Sequence, residues 1–339
     1  MRLSRLTYFT LFIVFITIPA SAQQFPIYSQ YMMNSFLLNP AVAGHEGYTA
    51  ANLTVREQWL GLKDAPSTYA ISGQTRLLKN SYISRGKSVR RRQRAMSRSG
   101  RVGLGAYIYN DVNGAISKTG ISFTYAYHLT LRRSEVSMGG SIKTFQYKID
   151  KTKIRVETQD NLLDLTDPKA FITDSDLGGY YSDRNIYAGL SIQNLFESFF
   201  NLNNREGAGF KLERQYLAMA GYRYDMIDFL FVEPSFLLKF SENVVAQLDM
   251  NLKFYFKQDY WAGISYRTGS GSRISSESTQ GRGSSLIIMA GARVDRFYFG
   301  YAFDYSFSSI RSRTIGSHEL MLAVKFGDSA RRYRWLNRY

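Results

Sequence analysis

The stretch FYFGYAFDYSF, Phe297–Phe307, places a large aromatic residue at every second position and small or polar residues such as Gly300, Ala302 and Asp304 between them. Successive side chains of a β-strand point to opposite faces, so this strand has one aromatic face and one small or polar face. In a water-soluble protein, a second layer of protein would have to cover the aromatic face. In an outer-membrane barrel, lipid covers that face and the polar face lines the lumen.

The first 22 residues have the pattern of a secretory signal peptide. Arg2 and Arg5 precede an apolar run from Leu6 to Ile18, and Ala20-Ser21-Ala22 forms an A-x-A cleavage site before Gln23. The clean cleavage site favours removal of residues 1–22 over an uncleaved anchor. No later segment approaches about 20 consecutive apolar residues. The sequence therefore predicts an exported chain without membrane-spanning helices.

Fourteen later segments have the two-residue periodicity of strands and are bounded by turn residues. An even number is what a single-chain bacterial barrel requires. The predicted strands are Tyr48–Gln58, Thr68–Leu77, Val102–Asn110, Ile116–Leu129, Glu135–Ile149, Asp176–Tyr181, Ile186–Asn194, Gln215–Asp225, Phe229–Phe240, Val245–Phe256, Tyr260–Thr268, Leu286–Val294, Phe297–Phe307 and Ser317–Phe326.

The links between these strands alternate in length. Links after even-numbered strands are short, as at Arg132–Ser134 and Asp295–Arg296, whereas long stretches such as Asp150–Ser175 follow odd-numbered strands. The exception is the basic stretch Leu78–Arg101. Because outer-membrane barrels have short periplasmic turns and longer outer loops, this parity predicts that both mature termini are periplasmic.

Together these features predict an all-β protein, a transmembrane antiparallel β-barrel of about 14 strands that covers residues 48–326 in the Gram-negative outer membrane, against lipid. A soluble β-sandwich would also show alternation, but link parity, the many aromatic residues and the signal peptide disfavour it. The predicted inward face carries charges of both signs, which we expect to pair across the lumen. These residues are Arg56, Arg76, Arg223, Lys253, Arg267, Arg293, Lys325, Glu233, Asp249, Asp304 and Glu319.

Most of the net charge of +16 lies in two short stretches, Leu78–Arg101 and the tail 327–339. The parity of the links predicts that both are periplasmic. An exported chain does not meet nucleic acid, so we predict that Arg90, Arg91, Arg92 and Arg94 contact acidic faces of partner proteins or anionic lipid. The alternative is a solvated spacer whose charge only enforces orientation.

The sequence offers little support for catalysis, metal binding or a cofactor. Cysteine is absent, and the three histidines, His45, His128 and His318, lie far apart in the chain. An outer-membrane hydrolase would need a serine, a histidine and a carboxylate that converge, and no such set is visible. The acidic residues of the predicted outer loop have the irregular spacing of a solvated loop and match no calcium loop. They are Asp160, Asp164, Asp167, Asp174 and Asp176.

Residues 23–47 are apolar and aromatic but lack strand alternation. Such a segment needs a buried place, and the lumen or mouth of the barrel is the obvious one. We therefore predict a plug-like segment in or at the lumen, with Tyr31, Asn34, Asn39 and Pro40 as its lumen-facing residues.

The segment also resembles the N-terminal signature of the PorP/SprF family of type IX secretion outer-membrane proteins. The similar residues there are Ser29-Gln30-Tyr31, Asn34, Asn39-Pro40-Ala41 and Gly44. The resemblance continues in order along the chain. It includes Trp59 with Gly61, Ala65-Pro66, Tyr180-Tyr181-Ser182-Asp183, Tyr187-Ala188-Gly189-Leu190-Ser191, Gly221-Tyr222-Arg223, Pro234-Ser235, Trp261-Ala262-Gly263, Ser265-Tyr266-Arg267, Tyr301, Asp304-Tyr305 and Gly316-Ser317-His318-Glu319. The basic stretch Leu78–Arg101 departs from the family pattern because it is longer and more charged.

The resemblance implies a non-enzymatic barrel of the type IX secretion or gliding machinery. Its partners would be a secreted surface protein with a type IX C-terminal signal domain and periplasmic components of the machinery. The barrel would anchor that surface protein or assist its display. Two other classes stay open from the sequence: a porin-like solute channel, and an outer-membrane enzyme that would use His128 or His318.

Overall fold

Fourteen long strands make up most of the protein. The computed structural model describes residues 27–78, 99–131, 134–153, 169–201, 209–227, 229–241, 246–257, 259–270 and 283–326. The strands are β1 Thr49–Glu57, β2 Ser67–Leu78, β3 Ser99–Asn113, β4 Ile116–Thr130, β5 Glu135–Ile149, β6 Lys169–Ser182, β7 Ile186–Gln193, β8 Gln215–Tyr222 with its continuation Tyr224–Ile227, β9 Leu230–Ser241, β10 Gln247–Phe256, β11 Tyr260–Ser270, β12 Gly283–Val294, β13 Phe297–Ser306 and β14 Ser317–Phe326.

These strands form one closed antiparallel barrel, which confirms the predicted fold class. Each strand pairs with its neighbours in sequence, and β1 pairs with β14 from Thr49 opposite Phe326 to Glu57 opposite His318. β8 pairs with β7 on one side and β9 on the other, although Arg223 interrupts it. A short hairpin of Phe199–Asn201 and Gly209–Lys211 lies in the link between β7 and β8.

Side chains alternate across the barrel wall as the sequence predicts. In β13, Tyr301 is 46% exposed on the outer surface, whereas Asp304 is 4% exposed inside. Large apolar side chains such as Phe123, Ile142 and Leu190 are exposed on other strands in the same way, and lipid is the environment that suits them. All eleven predicted inward charges are buried or partly buried. Within the described ranges, no helix is long and apolar enough to cross a bilayer.

The two ends of the barrel differ. One end, here called the turn end, carries tight connections: the Leu131 N–H donates to Ser134 O, and the Asp183 N–H donates to Ile186 O. The opposite end, here called the loop end, carries most of the longer links. The chain enters β1 and leaves β14 at the turn end. This distribution matches the predicted link parity.

Several strand boundaries differ from prediction by a few residues, and three of these differences change an interpretation. β6 begins at Lys169 rather than at Asp176, so Asp174 and Asp176 belong to the wall and not to a solvated loop. β3 extends to Asn113, which leaves a two-residue turn at Gly114-Ala115 where a longer link was expected. Gly114 has φ +61°, a left-handed conformation that glycine adopts without strain. The basic stretch was predicted to run to Arg101, but β3 already begins at Ser99.

The lumen holds the part of the N-terminal segment that the structure describes, residues 27–47, here called the lumen segment. Phe36, Leu37 and Leu38 are buried and pack in one apolar cluster with Leu217 and Met219 of β8. The main apolar core of the protein therefore lies inside the barrel, between the lumen segment and the wall.

Candidate functional site: the lumen segment

The lumen segment has a defined backbone conformation without strand pairing. Two short 3-10 turns, Ser35–Leu37 and Pro40–Val42, follow each other. Asn39 caps the second turn, because its side-chain oxygen accepts a hydrogen bond of 2.9 Å from the Ala41 N–H. Pro40 occupies the first position of that turn, where a missing N–H costs nothing. The Asn-Pro-Ala sequence thus encodes the turn that carries the segment across the lumen.

The structure places all four predicted lumen residues against the wall. Asn34 Nδ2 donates to Ser72 Oγ (3.0 Å). Asn39 Nδ2 donates to the carbonyl oxygens of Gly179 (3.0 Å) and Leu190 (3.2 Å), in β6 and β7. Pro40 is buried, and its backbone lies against β5.

Tyr31 binds the opposite side of the barrel. Its hydroxyl oxygen accepts a hydrogen bond of 2.5 Å from Asn251 Nδ2 in β10. Burial raises the pKa of the Tyr31 hydroxyl well above its usual value near 10, and the nearby negative charge of Asp249 raises it further. Tyr31 therefore stays neutral over the physiological range.

Glycines in the wall allow the segment to approach closely. A β-carbon added at Gly178 would lie 2.1 Å from Asn39 Oδ1, and one added at Gly103 would lie 1.9 Å from Ala43 O. Both distances are far below van der Waals contact. The wall is therefore shaped for this segment, and a side chain at either position would displace it.

Near the loop end, a buried charge cluster holds the start of the segment. We call it the loop-end cluster; it consists of Arg56, Asp249, Arg267, Asp304 and Glu319. Arg56 bridges Asp304 (2.7 Å) and Glu319 (3.1 Å), and Arg267 pairs with Asp249 at 2.9 Å.

The segment supplies groups that complete this cluster. Glu319 accepts the backbone N–H groups of Ser29 (2.6 Å) and Gln30 (2.8 Å). The Ser29 hydroxyl donates to Asp304 and accepts from Arg56 Nη1 at 2.7 Å. Carboxylates that accept backbone N–H groups form strong, short bonds, so the start of the segment is fixed to three strands at once.

Near the turn end, a second cluster holds the end of the segment. The turn-end cluster consists of Arg76, His128 and Glu135 of the wall with His45 of the segment. Arg76 binds both oxygens of Glu135 at 2.9–3.1 Å, and His45 Nδ1 lies 3.1 Å from Glu135 Oε1. His128 Nε2 lies 2.8 Å from Ala43 O; because a carbonyl only accepts, this nitrogen carries the proton. His45 and His128 lie far apart in the sequence, and no local sequence pattern predicts that they meet.

The turn-end cluster has the spacing of a metal site but not its electrostatics. His45, His128 and Glu135 offer ligand atoms within 4.8 Å of one another. The Arg76 guanidinium, however, already binds both oxygens of Glu135. A divalent cation on the same carboxylate would be repelled by that charge at short range. The geometry therefore fits a buried salt-bridge network better than a metal centre.

Among the described residues, the lumen segment lines two cavities. The turn-end cavity has a volume of about 290 Å³ and is lined by apolar residues and by charges of both signs, including Glu46, Glu233, Arg223 and Lys325. The loop-end cavity has a volume of about 80 Å³. Tyr28 and Leu38 of the segment line the loop-end cavity, whereas residues 31–35 line the turn-end cavity.

The remaining predicted features fall in two groups. The signal peptide, Arg90, Arg91, Arg92, Arg94 and the tail 327–339 lie outside the described residues. His318 and Glu319 face opposite sides of β14, as their adjacency predicts: His318 Nδ1 bonds the exposed Tyr301 hydroxyl at 2.7 Å, and Glu319 lies in the loop-end cluster. His318 therefore does not share a site with Glu319.

Solved structures with a similar fold are outer-membrane barrels of distant sequence. The toluene transporter TbuX of Ralstonia pickettii is 11% identical, with a TM-score of 0.48 over 90% of this chain and 95% of that one. A FadL homologue of Pseudomonas aeruginosa is 9% identical, with a TM-score of 0.47 over 90% and 95%. CdiB of Acinetobacter baumannii is 8% identical, with a TM-score of 0.43, and the match spans 82% of this chain and 60% of CdiB. No protein of curated function matches the sequence.

The family comparison covers almost the whole chain. Residues 20–324 match the family model described as type IX secretion system membrane protein PorP/SprF. This range includes the lumen segment and all but the last two residues of β14. A membrane protein built as a closed antiparallel barrel with a lipid-exposed apolar face is placed in the outer membrane. The chain belongs to the PorP/SprF family of type IX secretion system membrane proteins.

Proposed function

We propose that this barrel is a non-enzymatic part of the type IX secretion or gliding machinery that anchors a secreted surface protein or assists its display. The observation that carries the proposal is the lumen segment, which is tied to the wall by buried ion-pair clusters at both of its ends. A lumen filled in this way suits a rigid platform better than an open solute channel. The partner would be a surface protein with a type IX C-terminal signal domain.

The two ends of the barrel would then have different tasks. The loop end would face the cell exterior and hold the surface protein, and both mature termini would be periplasmic. Arg90, Arg91, Arg92 and Arg94 would lie on the periplasmic side, where guanidinium groups bind carboxylates in bidentate geometry. The link parity and the family membership support this orientation.

Gene deletion tests the main proposal. Loss of the barrel should abolish surface display of its partner while the partner is still synthesised, and the wild-type gene should restore display. Mass spectrometry of proteins that co-purify in mild detergent would identify the partner. Unchanged display and secretion of all type IX substrates after deletion would contradict the proposal. Steady conductance of the full chain in planar bilayers would instead favour the solute channel.

A charge-removal variant tests the periplasmic contact. Replacing Arg90, Arg91, Arg92 and Arg94 with Ser should leave the barrel folded but weaken co-purification of periplasmic machinery, most strongly at low salt, because such contacts are screened over about 10 Å at 0.1 M. Arg311→Ser with Arg313→Ser, at the exposed loop end, is the matched control. If the wild-type protein and both variants recovered the periplasmic machinery equally at low salt, the basic stretch would be only a spacer.

A further inference from the structure

The loop-end cavity has an unusual set of ionisable side chains. Lys118, Lys143 and Lys239 line it together with the phenols of Tyr28 and two further tyrosines, and none of its lining residues among those described is a carboxylate. Ammonium and phenol groups donate hydrogen bonds, so the polar part of this wall is rich in donors. The turn-end cavity, by contrast, mixes acids and bases.

The three lysines are not compensated equally. Lys143 Nζ donates to Asp176 Oδ1 at 2.6 Å, which satisfies that charge. Lys118 lies over the ring of Tyr147 at 5.9 Å. For Lys239, no carboxylate of the described residues lies within ion-pair distance. The carboxylates of the loop-end cluster act on Lys239 only from a longer distance, and their hydrogen bonds go to Arg56, Arg267 and backbone N–H groups.

Apart from the amides Gln193, Asn194 and Gln215, the rest of the cavity wall is apolar. Leu37 and Leu38 of the lumen segment face Phe145, Leu212 and Leu217 of the barrel wall across it. A ligand that fits must therefore combine a negative group with a hydrocarbon body. Lys239 is the lysine of this wall without a directly paired carboxylate among the described residues; its single charge matches a monoanion, whereas a phosphate dianion would need further cationic partners.

We infer that the loop-end cavity binds a carboxylate carried on a small aliphatic body, with Lys239 as its ion-pair partner. A volume of about 80 Å³ limits the ligand to a few non-hydrogen atoms, and butyrate serves as a probe of that class. The carboxylate could belong to a free small acid or to the last residue of a polypeptide chain. The inference goes beyond the anchoring function and does not rest on it, because it concerns binding by the barrel alone.

Saturation-transfer NMR on the full chain in detergent tests the site with butyrate and its neutral isostere, butyramide. Butyrate should bind at least tenfold more tightly than butyramide. Lys239→Met should lower the butyrate affinity at least tenfold, Lys239→Arg should largely keep it, and Lys257→Met, at the exposed turn end, should leave it unchanged. Equal binding of butyrate and butyramide, or of butyrate to the Lys239→Met and Lys257→Met proteins, would overturn the inference.

Two further measurements keep the test decisive. Barrel folding of each variant is checked by its heat-modifiable migration on gels, so a loss of binding is not confused with unfolding. A short peptide ending in alanine, with a free or an amidated C-terminus, separates the two sources. Binding of the free-acid peptide alone would assign the site to a polypeptide end, and binding of butyrate alone would assign it to a small acid.

Discussion

The loop-end cluster and the turn-end cluster hold the same segment by different chemistry. The loop-end cluster sets two arginines against three carboxylates, and it binds backbone N–H groups of the segment directly. The turn-end cluster has one arginine and one glutamate, supplemented by two imidazoles. The start of the segment is therefore fixed by full charges. Its end is held by the Arg76–Glu135 pair, by imidazoles that can be neutral, and by a separate ion pair between Glu46 and Lys325 at 3.1 Å.

The largest effect is expected from breaking the loop-end cluster. Arg56→Met leaves Asp304 and Glu319 without their shared guanidinium, which should destabilise the attachment of Ser29 by about 3–5 kcal/mol. Amide hydrogen exchange at Ser29 and Gln30 should accelerate at least a hundredfold, since about 1.4 kcal/mol corresponds to a factor of ten.

The control for this prediction is Arg293→Met. Arg293 pairs with Asp259 at 2.6 Å near the turn end, where the Asp259 side chain is 42% exposed. A pair this open to solvent contributes about 1 kcal/mol or less. If both variants changed exchange at Ser29 equally, the loop-end cluster would not hold the segment.

A smaller effect is expected at the turn-end cluster. Glu135→Gln removes the negative charge but keeps an amide oxygen that can accept from Arg76, so the loss should be about 2–3 kcal/mol. Hydrogen exchange should accelerate at His45 while Ser29 stays protected. Glu57→Gln, outside the lumen, is the matched substitution and should change neither amide. Simultaneous release of Ser29 and His45 would show that the two clusters act as one unit.

Close packing beside the turn-end cluster gives a third test. In Gly103→Ala, the new methyl group would overlap Ala43 O and lie 2.8 Å from His128 Nε2, which should cost about 1–3 kcal/mol. Gly73→Ala has no atom within 4 Å of its new methyl group and is the control. Thermal unfolding in detergent should show a lower Tm for Gly103→Ala alone. Equal Tm values would mean that the segment shifts without strain.

The smallest effect concerns Tyr31, between the two clusters. Its pKa is raised in the folded protein, so its contribution to stability is fully present below about pH 10, where an unfolded tyrosine begins to ionise, and is lost as the pH rises further. Tyr31→Phe should therefore flatten the decline in the free energy of unfolding between pH 9 and pH 11. Urea titrations at both pH values measure it. Tyr260→Phe, on the exposed outer surface, should leave the decline unchanged.

The sequence determines the wall better than its contents. Alternation across β13 places Asp304 inside and Tyr301 outside without any knowledge of the fold, because a strand has a period of two. The same rule missed the start of β6, where Asp174 and Asp176 look like loop residues but are buried polar groups of the wall. Asp176 is bound by Lys143, and a partner on another strand cannot be read from local sequence.

The contacts inside the barrel could be predicted from the sequence even less well than the strand boundaries. Composition alone predicts that residues 23–47 need burial, but the segment has no period from which its contacts could follow. The meeting of His45, His128 and Glu135 depends on how a non-repetitive chain turns at Asn39-Pro40 and on which wall glycines admit it. Residues that resemble the family signature lie at these contacts, but their contact partners cannot be identified without the fold.

The pairing of β1 with β14 has a consequence for biogenesis. This seam joins the first and last strands, and the lumen segment is attached directly to the first of them. The segment nevertheless packs on β4, β5 and β6, on wall far from the seam in sequence. Once the barrel is closed, residues 27–47 could no longer enter the lumen between two strands. We therefore expect closure of the seam to be coupled to filling of the interior, with residues 27–47 in place before the first and last strands pair.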